Sequence, residues 1–143
     1  MGCTVAEDSS GITLCRPDVL HGVDVDMRDI SDTALTLAVV APFADSPTRI
    51  RGIASSRRKE TDRVGAVCTE LSRLGVQVQE HPDGLTIAPC RQFQPALIQT
   101  YNDHRMAMAF SLLGLAVEGT AIQNPACVSK TFPAFFDTLD RLR

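Results

Sequence analysis

The chain has 143 residues, of which 44% are apolar and 22% are charged, and its net charge is −3. These values are typical of one ordinary globular domain, and the acidic balance argues against a general nucleic-acid binder. No apolar run of about 18 residues occurs, so no membrane span is expected, and the first residues lack the pattern of a secretory signal. Five scattered cysteines without a CxxC pair indicate reduced thiols in the cytoplasm rather than a zinc site or a disulfide framework.

Strand and helix patterns alternate along the first two thirds of the chain. Two short strand patterns lie within residues 1–17, and GVDVDM alternates apolar and acidic residues as a half-buried strand does. The next segment, SDTALTLAVVAPFA, predicts a mostly buried helix that Ser31 or Asp32 caps. TRIRGI predicts another strand, ETDRVGAVCTELSRLG an amphipathic helix, and VQVQEHPDGLTIAP a hairpin with its turn at Pro82–Gly84.

The remaining segments repeat part of this order. ALIQTY predicts a strand, DHRMAMAFSLLGLAV an apolar helix, TAIQNP a strand, and TFPAFFDTLDRLR a terminal amphipathic helix capped by Thr131. The order β-α-β-α-β-β followed by β-α-β-α predicts an α/β (α+β) fold of repeated units whose last copy lacks its hairpin. We therefore expect one partial domain of a larger protein: the end of a preceding unit at 1–20, a complete unit at 21–90 and an incomplete one at 91–143.

Charged residues gather where the predicted helices begin, and such junctions often carry function in α/β proteins. Asp32 is either an N-cap or a carboxylate that accepts a proton from a substrate hydroxyl. The segment with Glu60 and Arg63 is either a solvated basic loop or an anion clamp with a proton donor beside it. Arg105 opposes the dipole of its own helix, which a bound anion would explain most simply, and Lys130 is either a loop lysine or a third helix-start cation.

These charged groups point to one kind of site. The sequence contains no P-loop, no GxGxxG and no HExxH or other metal-binding pattern. We therefore expect a site without metal or cofactor that binds a small, doubly anionic substrate and moves protons. This interpretation requires the three cations, which come from distant segments, to converge opposite the carboxylates of Asp32 and Glu60.

The segments RKETDR, YNDHRMAM and SKTFP, in this order and at these intervals, resemble the 5-enolpyruvylshikimate-3-phosphate (EPSP) synthases. MRDISDTALT and TELSRLG fit as well, so the resemblance runs along the whole chain. It implies two domains of β-α-β-α-β-β units with the active site between them, and this chain would be the C-terminal portion. The missing hairpin would come from the extreme N-terminus of the same enzyme. The family joins phosphoenolpyruvate to the 5-hydroxyl of shikimate 3-phosphate, and phosphate leaves by addition and then elimination.

The resemblance also implies residue roles, carried over by motif. Asp32 resembles the base for the hydroxyl, and Glu60 resembles the group that delivers a proton to the methylene carbon. Arg63, Arg105 and Lys130 resemble the cations that bind phosphoenolpyruvate.

Three further residues take supporting roles by the same resemblance. Lys59 resembles a contact to the shikimate phosphate and to the reacting centre, so it counts as catalytic and as part of the shikimate 3-phosphate site with Asp32. Ser55 belongs to that site too, although the family commonly has Asn at this position. His104 is expected to be a nearby supporting polar group.

The missing N-terminal domain limits what this chain can do. It would supply the other contacts to both substrates, so we expect no turnover by this chain alone. Two alternatives stay open: a sister enolpyruvyl transferase acting on UDP-N-acetylglucosamine, and a non-catalytic anion-binding module or half of a split enzyme.

Overall fold

The structure is a computed structural model that describes residues 1–142. Eight strands occur in this range: β1 Thr4–Asp8, β2 Gly11–Cys15, β3 Asp24–Asp26, β4 Thr48–Arg51, β5 Val78–His81, β6 Gly84–Ile87, β7 Leu97–Ile98 and β8 Ala121–Ile122. The α-helices are α1 Ala34–Val40, α2 Arg63–Arg73, α3 His104–Gly114 and α4 Phe135–Arg141. Short 3-10 helices occupy Arg28–Thr33, Ala41–Phe43, Ala54–Arg58 and Pro125–Lys130. The predicted last unit extends to Arg143, which lies outside the described residues.

The predicted order of strands and helices is present. Strands β3 to β6 alternate with α1 and α2 and form one sheet in the order β3-β4-β6-β5, with β3 and β4 parallel and the β5–β6 hairpin antiparallel. The second segment, β7-α3-β8-α4, has only the short parallel pair β7–β8. Strands β1 and β2 form the predicted antiparallel hairpin at the start of the chain. No helix within residues 1–142 is long and apolar enough to cross a membrane.

One core joins the two segments. Helix α1 packs against α2 and α3, and α2 also packs against β5 and β6 of the four-stranded sheet. The core that they share contains fully buried side chains, among them Ile50, Leu71, Ile87 and Phe110. Apolar burial of this kind is the main stabilising term in a domain of this size. The packing places the first residues of α2 and α3 beside the 3-10 helix that precedes α1.

Two predicted helix caps are wrong. Neither Ser31 nor Asp32 caps α1, because both lie inside the 3-10 helix and the carboxylate of Asp32 bonds two arginines instead. A guanidinium offers the carboxylate of Asp32 a full positive charge, whereas a backbone N–H at a helix start offers only a partial one, so the arginines are the stronger partners. Thr131 does not cap α4 either. Its N–H and that of Phe132 both donate to the carbonyl of Val128, so the chain is still completing the preceding turn there.

Candidate active site

Arg63, the first residue of α2, is the centre of an ion-pair cluster. Its side chain is 2% exposed, and its Nε donates to Asp103 Oδ2 at 2.8 Å. Its Nη2 donates to Glu60 Oε2 at 2.7 Å and to Asp103 Oδ1 at 3.3 Å, and its Nη1 donates to Asp32 Oδ1 at 2.9 Å. A guanidinium has five N–H groups, so these four bonds leave one N–H free for a further acceptor.

The electrostatics of Arg63 favour its charged form. Burial by itself would lower the pKa of Arg63, but the hydrogen bonds to Asp103 and the charges of Asp103, Glu60 and Asp32 outweigh it and raise that pKa. The carboxylate of Asp103 is fully buried, so the two form a buried ion pair that ties the start of α2 to the start of α3. Removing one partner of such a pair leaves an uncompensated charge, so each fixes the other in place.

Arg105 and Lys130 extend the cluster toward solvent. Arg105 Nη2 donates to Asp32 Oδ2 at 3.0 Å, and Lys130 Nζ donates to Glu60 Oε1 at 2.5 Å. Their side chains are 35% and 58% exposed, in contrast to buried Arg63. The three cations that the motifs single out therefore converge in space, and each contacts Asp32 or Glu60.

The position of Arg105 and Lys130 relative to the ends of the helices differs between the two residues. Asp103 caps α3 by accepting a hydrogen bond from the N–H of Arg105 at 2.8 Å, which fixes the first turn of that helix. The charge of Arg105 opposes the helix dipole, as predicted, and within this chain the compensating anion is Asp32. The prediction that Lys130 stands at a helix start is wrong. It ends the 3-10 helix Pro125–Lys130, because α4 begins only at Phe135.

Glu60 is ionised in this arrangement. The hydrogen bond from Lys130, together with the charges of Arg63 and Lys130, outweighs burial and lowers the pKa of Glu60 from 4.5 to about 2. A carboxyl with so low a pKa cannot donate a proton at neutral pH. To act as an acid, Glu60 must first lose its contact with Lys130, the more exposed of its two cationic partners.

His104 is buried beside the cluster without joining it. It is 4% exposed, burial lowers its pKa, and its Nδ1 has no hydrogen-bond partner within residues 1–142. The carboxylate oxygen Asp103 Oδ1 lies 3.8 Å from His104 Nδ1, which is too far for a hydrogen bond. Its imidazole is therefore neutral at pH 7 and offers one polar atom that could meet a ligand or a water molecule.

Ser55 and Lys59 line a groove of their own and form no hydrogen bond or ion pair with the cluster. Both are exposed, and together with Ala54 and Arg58 they line a shallow open groove. Neither side chain makes a hydrogen bond or an ion pair to any residue that the structure describes. Because Lys59 directly precedes Glu60, this groove adjoins the cluster along the chain.

A second concavity borders the cluster. Asp32 and Arg105 form its polar edge, and Thr36, Leu112 and Phe135 line its remainder in a volume of about 170 Å³. Through Asp32 and Arg105 this concavity adjoins the cluster of carboxylates and cations. Among residues 1–142 no group of three or more side chains is arranged to hold a metal ion.

The structural roles of two charged residues near the site, Arg57 and Glu70, could not be predicted from the local sequence pattern. Arg57, which the sequence places with the basic loop, instead anchors that loop by ion pairs to Asp62 at 2.9 Å and Glu80 at 2.7 Å. Glu70 of α2 is fully buried and bonds the strand-to-helix corner before α3. The only sequence signal for Glu70 is that it follows Arg63 by seven residues, which puts both on one face of the helix.

Comparison with known proteins gives the relatives of this chain. The family model for EPSP synthase (3-phosphoshikimate 1-carboxyvinyltransferase) matches residues 1–139. The 3-phosphoshikimate 1-carboxyvinyltransferase of Nostoc punctiforme is 53% identical over 136 residues, covering 95% of this chain and 32% of that protein. The chloroplastic protein of the same name from Arabidopsis thaliana is 46% identical over 149 residues, covering 99% of this chain and 29% of that one.

A solved structure agrees with these relatives. The structure of EPSP synthase from Acinetobacter baumannii matches with a TM-score of 0.84 and 26% identity, covering 98% of this chain and 36% of that one. The predicted fold class is therefore confirmed, and so is the resemblance that the motifs indicated. This chain spans about a third of the length of the curated relatives it matches and corresponds to their C-terminal part. It belongs to the EPSP synthase family.

Proposed function

We propose that this chain forms one wall of an EPSP synthase active site. The reaction transfers the enolpyruvyl group of phosphoenolpyruvate to the 5-hydroxyl of shikimate 3-phosphate and releases phosphate. The observation that carries the proposal is the single cluster in which Arg63, Arg105 and Lys130 meet Asp32 and Glu60. Cations at this density suit a small ligand with a phosphate and a carboxylate.

Phosphoenolpyruvate binds by exchange of ion pairs. The cluster holds three cations and three carboxylates, counting Asp103, so it is neutral. An anionic ligand takes over the exposed cations Arg105 and Lys130 and releases Asp32 and Glu60 from them. Arg63 is buried and four-fold bonded, so it contributes its one free N–H and keeps the carboxylates in position.

The released carboxylates then perform the proton transfers. Asp32 accepts the proton of the 5-hydroxyl as the hydroxyl oxygen bonds to the second carbon of phosphoenolpyruvate. Glu60, whose pKa rises once Lys130 binds the ligand, delivers a proton to the methylene carbon and makes it a methyl group. In the elimination step the bond to phosphate breaks, and the methyl group returns a proton to the carboxylate of Glu60, which restores the double bond. Protonated Asp32 passes the proton of the 5-hydroxyl to the leaving phosphate. Both carboxyl groups then regain their starting states, so protons and bonds balance without a cofactor.

Shikimate 3-phosphate occupies the side of Ser55 and Lys59. Both side chains face the shallow groove with no internal partner among the described residues, so they are free to bind a ligand. Lys59 meets the phosphate and the reacting centre, and Ser55 donates its hydroxyl where the family commonly has Asn. His104 supports the site as a neutral polar neighbour.

The remaining contacts to both substrates come from the N-terminal domain of the same enzyme. The enzyme acts in the cytoplasm, and neither a nucleic acid nor a membrane is its partner. Residues 1–20 close a preceding unit, 21–90 form a complete unit, and 91–143 form the last unit, whose hairpin the other part of the enzyme provides. The chain alone does not catalyse the reaction, because it lacks half of the groups that hold the two substrates in position. Most of the contribution of proximity to lowering the barrier, about 7–11 kcal/mol, is then lost.

A chimera tests the proposal. The N-terminal part of the Nostoc punctiforme relative is joined to this chain, and phosphate release is measured with both substrates, then with each omitted. Activity that needs both substrates supports the proposal, and the matched chimera with Arg105→Met should lose most of it. An inactive chimera alongside an active intact relative would contradict it. Binding of phosphoenolpyruvate without restored activity would favour the anion-binding module instead.

A further inference from the structure

The turn that leads into α3 has an unfavourable backbone geometry. Tyr101 and Asn102 have φ angles of 53° and 57°, so two consecutive residues with side chains lie in the left-handed region. The N–H of Asp103 donates to the carbonyl of Thr100 at 2.8 Å and closes the turn. Asparagine tolerates this region, but a bulky tyrosine does so only where its surroundings hold it there.

The side chain of Glu70 in α2 is hydrogen-bonded to this turn and to the residue that leads into it. Its carboxylate is fully buried: Oε1 accepts from the hydroxyl of Tyr101 at 2.8 Å and Oε2 from the N–H of Gln99 at 3.1 Å. Arg73 Nη1 donates to Oε2 at 3.1 Å from the partly exposed surface of the helix. Burial and the hydrogen bond to Glu70 raise the pKa of Tyr101 to about 12, as expected for a phenol that donates to a carboxylate.

The opposite side of the turn is fastened to the segment that carries Lys130. Asn124 Nδ2 donates to Asn102 Oδ1 at 3.1 Å, and Asn124 is itself left-handed, with a φ of 49°. It directly precedes the 3-10 helix Pro125–Lys130. The turn therefore links two of the segments whose cations converge in the site.

The same helix also holds the residue that follows the turn. Arg63 and Glu70 are seven residues apart and lie on one face of α2. Arg63 binds Asp103 just after the turn, while Glu70 binds Tyr101 within it. We propose that Glu70 is a positioning residue that fixes the corner between β7 and α3, and thereby sets where Arg105 lies. This inference deepens the proposed function and rests on it.

Two measurements test the role of Glu70. Hydrogen exchange of the Asp103 amide in this chain reports on the turn without any substrate. Kinetics of the chimera report on the site, with KM for phosphoenolpyruvate compared against KM for shikimate 3-phosphate. The variants are Glu70→Ala and the conservative Glu70→Gln. Leu71→Ala is the control, since it opens a cavity in the same helix but removes no hydrogen bond to the turn.

Glu70→Ala should speed exchange at Asp103 and raise KM for phosphoenolpyruvate by about tenfold or more, since small misplacements cost up to about a hundredfold. KM for shikimate 3-phosphate should stay within about twofold of the parent value, and Glu70→Gln should recover part of the loss. Unchanged exchange in Glu70→Ala would overturn the inference, and so would an equal KM change in Leu71→Ala. If the parent chimera is inactive, the proposed function fails while the exchange result still decides the role of Glu70.

Discussion

Replacing Lys130 with methionine should raise the pKa of Glu60. The substitution keeps an unbranched side chain but removes the ammonium that donates to Glu60 Oε1 at 2.5 Å. Because Arg63 still donates to Glu60 Oε2, the new pKa should lie between about 2 and the ordinary value of 4.5. A carboxyl with a pKa of about 2 is protonated at pH 7 in about one molecule in 10⁵, and one with a pKa near 4.5 in about one in 300. Release of Lys130 thus makes Glu60 up to about 300-fold more available as an acid.

The assay is a pH titration of the Glu60 side-chain carboxyl by carbon-13 NMR in this chain. Lys59→Met is the matched control, because it removes the same charge next to Glu60 in sequence from a lysine without an ion pair among the described residues. The titration midpoint should rise in Lys130→Met and stay near the parent value in Lys59→Met. Equal midpoints in the parent and Lys130→Met would refute the idea that Lys130 keeps Glu60 ionised. Saturating phosphoenolpyruvate added to the parent chimera should move the midpoint in the same direction.

Three further predictions concern stability and reactivity. Arg63→Met leaves a fully buried carboxylate uncompensated and should lower the free energy of unfolding by about 3–5 kcal/mol in urea titrations. Arg105→Met should cost less than about 1 kcal/mol, since that ion pair is partly exposed, and equal losses would contradict the burial argument. The folded-state pKa of Glu60 is lowered, so its stabilising contribution is present above pH 4.5 and is lost as the pH falls toward about 2; Lys130→Met should flatten that fall. Burial raises the pKa of Cys68 to about 11, so this thiol should react with a thiol reagent at pH 8 only on unfolding. The exposed Cys3 should react at once.

The sequence pattern predicted some elements correctly because interactions between residues close in the sequence determine them. The apolar spacing of α2 and the β5–β6 hairpin both depend on residues within a few positions of each other. The cap predicted at Asp32 was wrong because two distant arginines bond its carboxylate, and a sequence pattern cannot show such competition. The cap predicted at Thr131 was wrong because the preceding turn extends through Phe132 and α4 begins only at Phe135.

The sequence by itself determined the family, because three charged motifs in a fixed order and at fixed intervals carry the resemblance that the family match bears out. Only the tertiary structure decided what those residues do to each other. Asp32 bonds Arg63 across 31 residues and Arg105 across 73, and Lys130 bonds Glu60 across 70. Arg63 is buried at the centre of the cluster, whereas the side chains of Arg105 and Lys130 are partly open to solvent. These relations depend on distance and exposure in the folded chain, since both the strength of an ion pair and the pKa of its members follow from them.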